Sequence, residues 1–422
     1  MADSKLQTAK VLIKADIPTP TVYNRFVSPR DVYSFDWKSL PSSFALKPSR
    51  GLGGEGIIVV KKRALREGRS TELSRSPQGK PSVENAWITT QKQVVTVDDL
   101  KLHVLDILEG AYSMGNFPDV AFIQEYVGRH RAFRKYAYRG TPDIRVIVFK
   151  KVPIIAMLRL PTKESGGRAN LHQGAIAVGV DIATGITTKA YWKGKYIRYK
   201  PDTKRKLNGI KIPFWNRVLE TAVAAQIASG LGYLGVDVVL HPEKGPMVLE
   251  INARPGLQIQ LANRAGLRSR LEKVEDLEVT DKEHGVRIAR VLFYERFLDR
   301  VKAEESSKTI SATEEVTIKA FDKRKVKVAA KIDTGAWRTS ISSTLAGELG
   351  LLDRTNILWT KKVKSSFGDQ ERPVIGLTFW LAGRKIITPA SVAKRASLKY
   401  PIIIGRKNLK GFIVNPEVKS KT

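Results

Sequence analysis

The chain of 422 residues is expected to form an α+β N-terminal domain followed by a small all-β C-terminal domain. Three observations predict this division. From residue 5 to about 300, helix-period and strand-period apolar patterns interleave. A polar tract, VKAEESSKTISATEEV (301–316), then follows the helical run VRIARVLFYERFLDR and reads as a linker. Beyond it, VTIKAFDKRKVKVAAKIDTG alternates and is rich in Val and Ile, and the remainder consists of short strands between turn signals. The boundaries drawn on this basis are 1–300, 301–316 and 312–422.

The elements follow in order. Residues 5–14 pattern as a short amphipathic helix on Leu6, Ala9, Leu12 and Ile13, closed by the turn DIPTPT. Strands are expected around Val32 to Phe35 and Phe44 to Lys47, and residues 64–86 read as a polar surface loop. Thr96 and Asp99 form a capping box ahead of a helix with apolar positions Leu100, Val104, Leu105 and Leu108. Short strands are expected at VAFIQEYV, DIRVIVFK, VPIIAMLRL and GAIAVGV. A second long helix, NRVLETAVAAQIASGLG, ends at glycines.

Composition narrows the class. A hydrophobic content of 42% fits a soluble globular protein, and the absence of cysteine excludes disulfides and thiolate metal sites. No apolar run reaches the length of a signal peptide or membrane span, which points to the cytoplasm. Lys and Arg number 73 against 41 Asp and Glu, a formal charge of +32. Such a field favours a polyanionic partner: nucleic acid, the ribosome, an acidic peptide or protein, or an anionic membrane face.

The stretch SFALKPSRGLGGEGIIVVKKR holds G-x-G-x-x-G at Gly51, Gly53 and Gly56, with Gly54 between them. The β-branched run after it makes the element strand, loop, strand, whereas a dinucleotide fold needs a helix there. No H-R-D, D-F-G or Walker lysine motif accompanies it. Taken alone, the loop is an ordinary glycine hairpin.

GVDVVLHPEKGPMVLEINARPG (235–256) carries more chemistry. Two apolar strands flank a turn near Glu243 and Lys244, so Asp237 and Glu250, equidistant from it, face each other across an antiparallel hairpin. Asn252 joins Glu250 two residues on, and Arg254 lies close behind. Two carboxylates and an amide are hard oxygen ligands suited to Mg²⁺, and Arg254 is placed to neutralise a phosphoryl oxygen.

With a glycine hairpin loop, lysines ahead of it and an E-x-N strand far downstream, the chain resembles the ATP-grasp superfamily over residues 5 to about 262, and within it the α-L-glutamate ligases. The resemblance implies ATP and Mg²⁺, or Mn²⁺, as cofactors. It implies that Lys5 and Lys47 contact the nucleotide, that the loop from Gly51 to Gly56 covers its phosphates, and that the hinge segment holds adenine and ribose through Gln124, Glu125, Tyr126 and Val127. Arg145 in DIRV and Asn170 in GGRANLHQGA would then lie near the acyl phosphate, with Arg145 and Arg254 catalytic and Asp237, Glu250 and Asn252 the metal ligands. His172 reads as structural or substrate-positioning. Most such ligases carry an α/β domain ahead of the first lysine; four residues precede Lys5, so the acceptor is expected to be held by another surface or protein.

KIDTGAWRTSISS places Asp333, Thr334 and Gly335 after an apolar strand, and YPIIIGRKNLKGFIV follows downstream. This order resembles the retropepsin-like aspartic proteases, in particular a bacterial branch labelled ATP-dependent zinc proteases, although no zinc ligand set is present. Aspartic protease chemistry needs two carboxylates sharing a proton, and one D-T-G implies a homodimer with Asp333 as the catalytic residue from each chain. The leading expectation is an ATP-dependent carboxylate–amine ligase, with glutamate the amino acid and an acidic acceptor, joined to an aspartic peptidase-like domain. The alternatives are a peptidase with regulatory nucleotide binding and a basic factor bound to the ribosome or nucleic acid.

Overall fold

The computed structural model describes residues 4–51, 53–64, 86–294, 307–365, 368–394 and 399–418. Two compact units emerge. The first comprises Met1–Val148, Ile155–Val180 and Thr187–Ala265; the second comprises Phe149–Ile154, Asp181–Ile186 and Gly266–Thr422.

The first unit holds two sheets. One contains β1 (Val22–Phe26), β2 (Phe44–Pro48), β3 (Ile58–Arg63), β4 (Ala86–Thr89), β5 (Val94–Thr96) and β6 (Ala121–Glu125), in the order β1-β6-β2-β3-β4-β5. Its core packs Phe26, Phe44, Leu46, Trp87, Leu100 and Val104. The other contains β7 (Asp143–Phe149), β8 (Val152–Leu160), β9 (Ile176–Val180), β10 (Thr187–Trp192), β11 (Lys195–Ile197), β12 (Tyr233–His241) and β13 (Gly245–Asn252), in the order β11-β10-β9-β8-β7-β12-β13. β8 is buried along its whole length, as an apolar run in a central strand must be.

Helix α1 (Lys5–Lys14) starts where Ser4 accepts from the Gln7 amide, and it buries Thr8, Ala9 and Leu12. Ile13, expected on the apolar face, is instead exposed. The strand expected at Val32 to Phe35 is a helix, α2 (Pro29–Ser34). Ser28 and Asp31 form a capping box and Pro29 pre-sets the first helical φ, which outweighs the β preference of Val32. Helix α3 (Val97–Leu108) begins at the Thr96–Asp99 capping box and buries Leu100, Val104, Ile107 and Leu108. Helix α4 (Trp215–Ser229) ends at Gly230, whose φ of 68° closes it in the left-handed region. Of the loop expected at 64–86, residues 65–85 lie outside the described residues.

In the second unit, β15 (Thr313–Lys319), β16 (Lys325–Asp333), β17 (Ser340–Ser342), β18 (Ile357–Ser365), β19 (Gly368–Leu381), β20 (Arg384–Ala393) and β21 (Ile402–Gly405) run in the order β15-β16-β21-β17-β20-β19-β18. β15 also pairs with β19, which closes six of them into a barrel around Val316, Ile318, Phe379 and Ile404. A separate parallel pair joins β14 (Lys308–Ile310) to β22 (Phe412–Val414). The expected linker is therefore already strand at β14 and from Thr313 onward; residues 295–306 lie outside the described residues.

This unit also begins earlier in the chain than residue 300. The helix Lys282–Leu292 packs on β18 and β20, and its His284 donates through Nε2 to the Leu358 carbonyl at 2.8 Å. Gly285 lets that helix pass the Lys151 carbonyl, where an added Cβ would come within 1.9 Å of the oxygen.

Candidate functional site

The glycine loop joins β2 to β3, which pair antiparallel with Leu46 opposite Ile58. Gly53, Gly54 and Gly56 have φ of 63°, 85° and 66°, in the left-handed region that other residues resist. A Cβ on Gly56 would also lie 2.5 Å from Cγ of Tyr112. Several side chains fasten the loop. Lys5 Nζ donates to the Gly51 carbonyl at 2.7 Å, and Asn170 Nδ2 donates to the Gly53 carbonyl at 2.8 Å. His103 Nε2 donates to the Gly56 carbonyl at 2.8 Å, while its Nδ1 accepts from the Tyr112 hydroxyl at 3.3 Å. Motif reading did not find His103 and Tyr112, because their role depends on how α3 stacks beneath the loop.

Lys47, on β2, is buried, and its Nζ donates to Oε1 of Gln124 at 2.8 Å; Gln124 Nε2 in turn holds the Pro20 carbonyl at 3.2 Å. Burial, with Lys5 nearby, lowers the Lys47 ammonium to about 8, against the opposing pull of Glu250. Glu125 accepts from the Thr21 amide at 3.1 Å and from Lys244, with His241 Nε2 at 3.6 Å. Burial works against its charge, yet Lys244 and the Thr21 amide outweigh burial and hold the carboxyl below its ordinary range. Tyr126 is half-buried, and burial raises its phenol. Val127 packs with Val239, Met247 and half-buried Leu249 in a small apolar cluster, and its carbonyl accepts from Thr141 Oγ1 at 2.8 Å.

Across the β12–β13 hairpin, Asp237 does stand opposite Glu250. The route to that pairing is less regular than simple alternation implies. His241 pairs with Gly245 and Val238 with Val248, a register that would put Asp237 opposite Leu249. A bulge at Leu249 shifts the strand by one residue and brings Glu250 to Asp237. Asn252, two residues on, then shares the face of Glu250.

Asp237 is almost wholly buried and held by two arginines. Arg145 donates from Nε and Nη2 to its two oxygens, each at 2.7 Å, and Arg159 donates from Nη2 to Oδ2 at 2.6 Å. Arg159 also grips Asp143 through Nε at 2.5 Å and Nη2 at 2.7 Å. The result is a buried ladder of alternating charges, Arg145–Asp237–Arg159–Asp143. Burial disfavours both carboxylates. At Asp237 the two guanidiniums outweigh it and lower the group to about 2. At Asp143 burial prevails over Arg159, and the group rises to about 6. Arg159 and Asp143 belong to the site but were not expected there.

The donor set can be tested against a hard cation. Glu250 is half-buried, and Asn252 offers its carbonyl oxygen as a neutral hard donor, while its buried Nδ2, an N–H donor that cannot bind a cation, has no partner among the described residues. Asp237 has three of its four lone-pair positions occupied by guanidinium N–H groups, which leaves one. Among the described residues no group of three or more His, Cys, Asp or Glu is placed to hold a metal, so the hard oxygen donors here are the Glu250 carboxylate, the Asn252 carbonyl and the one open position of Asp237. Arg254 is exposed beyond the end of β13, and His172 is exposed with its amide bonded to Oδ1 of Asn170 at 3.0 Å.

Asp333, in the other unit, ends β16 opposite Gly405 of β21. Its Oδ1 accepts from the amides of Gly335 at 3.0 Å and Ala336 at 2.9 Å. Thr334 is exposed. Buried Thr339 closes the following loop, with Oγ1 accepting from the Gly405 amide at 3.2 Å and from Asn408 Nδ2 at 2.7 Å.

Comparison with known proteins adds relatives to this geometry. Residues 80–276 match the family model described as sugar-transfer associated ATP-grasp. A probable α-L-glutamate ligase of Pseudoalteromonas translucida (strain TAC 125) is 32% identical over 119 residues, 28% of each chain. One from Marinobacter nauticus (strain ATCC 700491 / DSM 11845 / VT8) is 27% identical over 187 residues, 44% of this chain and 47% of the relative. The chain thus matches less than half the length of these curated relatives. Among solved structures, the D-alanine–D-alanine ligase of Bacillus anthracis complexed with ATP is 15% identical, with a TM-score of 0.33, covering 72% of this chain and 69% of that one.

Proposed function

We propose that the chain is an ATP-dependent carboxylate–amine ligase, a reading supported by the match of residues 80–276 to the sugar-transfer associated ATP-grasp family model and by the similarity of part of the chain to probable α-L-glutamate ligases. ATP would phosphorylate a carboxylate, and an amine would attack the acyl phosphate to form the amide, with release of ADP and phosphate. The observation that carries this reading is Lys47. It is a buried ammonium with a neutral hydrogen-bond partner, Gln124, and a second cation, Lys5, for a neighbour. Holding a cation there costs free energy unless an anion arrives, and a polyphosphate supplies one.

The residues divide the work. Lys5 and Lys47 would bind phosphate oxygens beneath the loop from Gly51 to Gly56, and the cluster of Val127, Met247 and Leu249 offers an apolar bed for the base next to Gln124, Glu125 and Tyr126. Mg²⁺, or Mn²⁺ in its place, would be held by Glu250 and Asn252 with one bond from Asp237, and it would offset phosphate charge when bound. Arg145 positions Asp237 and presents its remaining N–H groups to the reacting oxygens, Arg254 neutralises the transferring group from the exposed side, and Asn170 holds the loop closed. Glutamate as the added amino acid, and an acidic peptide or protein as acceptor, are supported by the names of the relatives and by the charge of +32. Cytoplasmic conditions would supply both ATP and a soluble acceptor. Among the described residues no helix is long and apolar enough to cross a membrane.

ADP release on addition of glutamate and an acidic peptide, followed by mass spectrometry of the product, tests the proposal. Glu250→Gln and Asn252→Ala should each abolish that ADP release while the fold persists. Undiminished turnover in both would remove the assignment.

A second activity is favoured by one observation: Asp333 ends β16 with Oδ1 bound to loop amides, while no hydrogen bond occupies its Oδ2 among the described residues. We propose that this unit is retropepsin-like and that two copies of it meet as a homodimer to form an aspartic peptidase dyad. Asp333→Asn should eliminate hydrolysis of acidic peptides and spare ADP release; unchanged hydrolysis would refute the dyad.

A further inference from the structure

Two stretches of the first unit concentrate positive charge. Across 129–139 and 195–206, eleven Lys and Arg face a single acid, Asp202. They are distant in sequence but joined in space. Lys200 Nζ donates to the Lys135 carbonyl at 3.5 Å, and the Arg205 guanidinium lies 5.8 Å from the ring of Tyr136. The second stretch is a ribbon closed on itself: the Lys200 amide donates to Arg205 and the Leu207 amide to Arg198, with Tyr199 bridged to Lys206. Burial together with Arg205 and Arg129 lowers the Lys200 ammonium, as crowding of like charge must. Arg131, Arg134, Lys135, Lys204, Arg205 and Lys206 are all exposed. Like charges held together this way are unfavourable in the free protein, and a bound polyanion relieves them.

Charge alone would suit an acidic polypeptide as well as nucleic acid. The aromatic residues decide between them. Tyr199 is 41% exposed with Arg198 5.6 Å from its ring, and Tyr196 is 42% exposed with Arg264 4.2 Å from its ring. Phe214 is 48% exposed, at a φ of 54° that an aromatic residue adopts reluctantly, and lies 6.2 Å from the ring of His130. An acidic peptide gains little from partly exposed aromatic rings, whereas unpaired bases stack on such rings and on the guanidinium planes beside them. We propose that this basic, aromatic face binds single-stranded nucleic acid, the phosphates on Lys204, Arg205, Lys206 and the 131–135 cations, and the bases on Tyr199, Tyr196 and Phe214. The proposal is independent of the ligase reading.

The full chain would be titrated into labelled oligouridylate and oligothymidylate over a salt series, read by fluorescence anisotropy, with poly-glutamate and a duplex of equal length as comparators. Affinity for both single strands should fall linearly on a log–log plot, with a slope of about −0.7 per phosphate contacted. Joint replacement of the exposed Lys204, Arg205 and Lys206 by Ala should flatten that slope by about 2. Tyr199→Ala should weaken binding about fivefold or more and leave the slope unchanged, since stacking releases no counterions. A second variant, Arg131, Arg134 and Lys135 all to Ala, should flatten the slope in the same way, so a folding defect in the ribbon cannot decide the outcome. Equal or tighter binding of poly-glutamate or the duplex, or wild-type slopes in both charge variants, would overturn the proposal.

Discussion

Lys47 shows how much a single side chain can report. Its ammonium is lowered to about 8 by burial and by Lys5, whereas an unfolded lysine titrates near about 10.4. Below pH 8 both states are protonated and the folded state bears the full cost of the buried charge. Between about 8 and about 10.4 the unfolded chain binds more protons than the folded one, so stability rises with pH in that window. Lys47→Met should lack this rise. The difference between wild type and variant, followed by urea unfolding at pH 7 and pH 10, should amount to roughly 2–3 kcal/mol; parallel pH curves would show that Lys47 is not strained by burial. Asp237, Glu250 and Asn252 were legible as neighbours because they sit on the two strands of one hairpin, although the exact pairing of Asp237 with Glu250 rests on the bulge at Leu249 and not on spacing alone. Arg159 and Asp143 were not: Arg159 reaches a carboxylate 78 residues away, and which face of β8 it occupies depends on strand order that no local pattern encodes.

At the scale of elements, local signals succeeded where they were chemically specific and failed where they were merely statistical. The Thr96–Asp99 box placed α3 at its true start, and the apolar run after the glycines became β3. Val32 to Phe35 looked like a strand by residue preference, but Ser28, Pro29 and Asp31 carry the stronger instruction. The bulge at Leu249 left no mark in the sequence, since a bulge is a property of two strands in register and not of one. It also has a use: by adding a residue it sets Glu250, and not Leu249, opposite Asp237. The glycine loop permits a direct test. Gly56→Ala would force a side chain into the left-handed region and against Tyr112, displacing the loop at the residue that His103 holds. A loss of about 1–3 kcal/mol in stability is expected, together with weaker nucleotide binding in a calorimetric titration; unchanged stability and affinity would mean that the loop adopts another path.

For the molecule as a whole, the main lesson concerns where one unit stops. A polar tract looks like a natural boundary, and yet the helix before it, Lys282–Leu292, is part of the barrel's own packing. Val286, Ile288 and Ala289 are buried, and His284 is bonded to β18. Polarity in sequence marks solvent exposure of a segment, not independence of what flanks it. A fragment beginning at Gly266 should therefore unfold at higher urea than one beginning at residue 307, and coincident midpoints would return the boundary to the polar tract. The parallel pair of β14 and β22 has a mechanical meaning besides. Lys308 lies beside Phe412 and Ile310 beside Val414, so a pull that separates the barrel's two chain ends acts along the strands, not across them. Their hydrogen bonds are then loaded together in shear and must fail at once instead of unzipping singly.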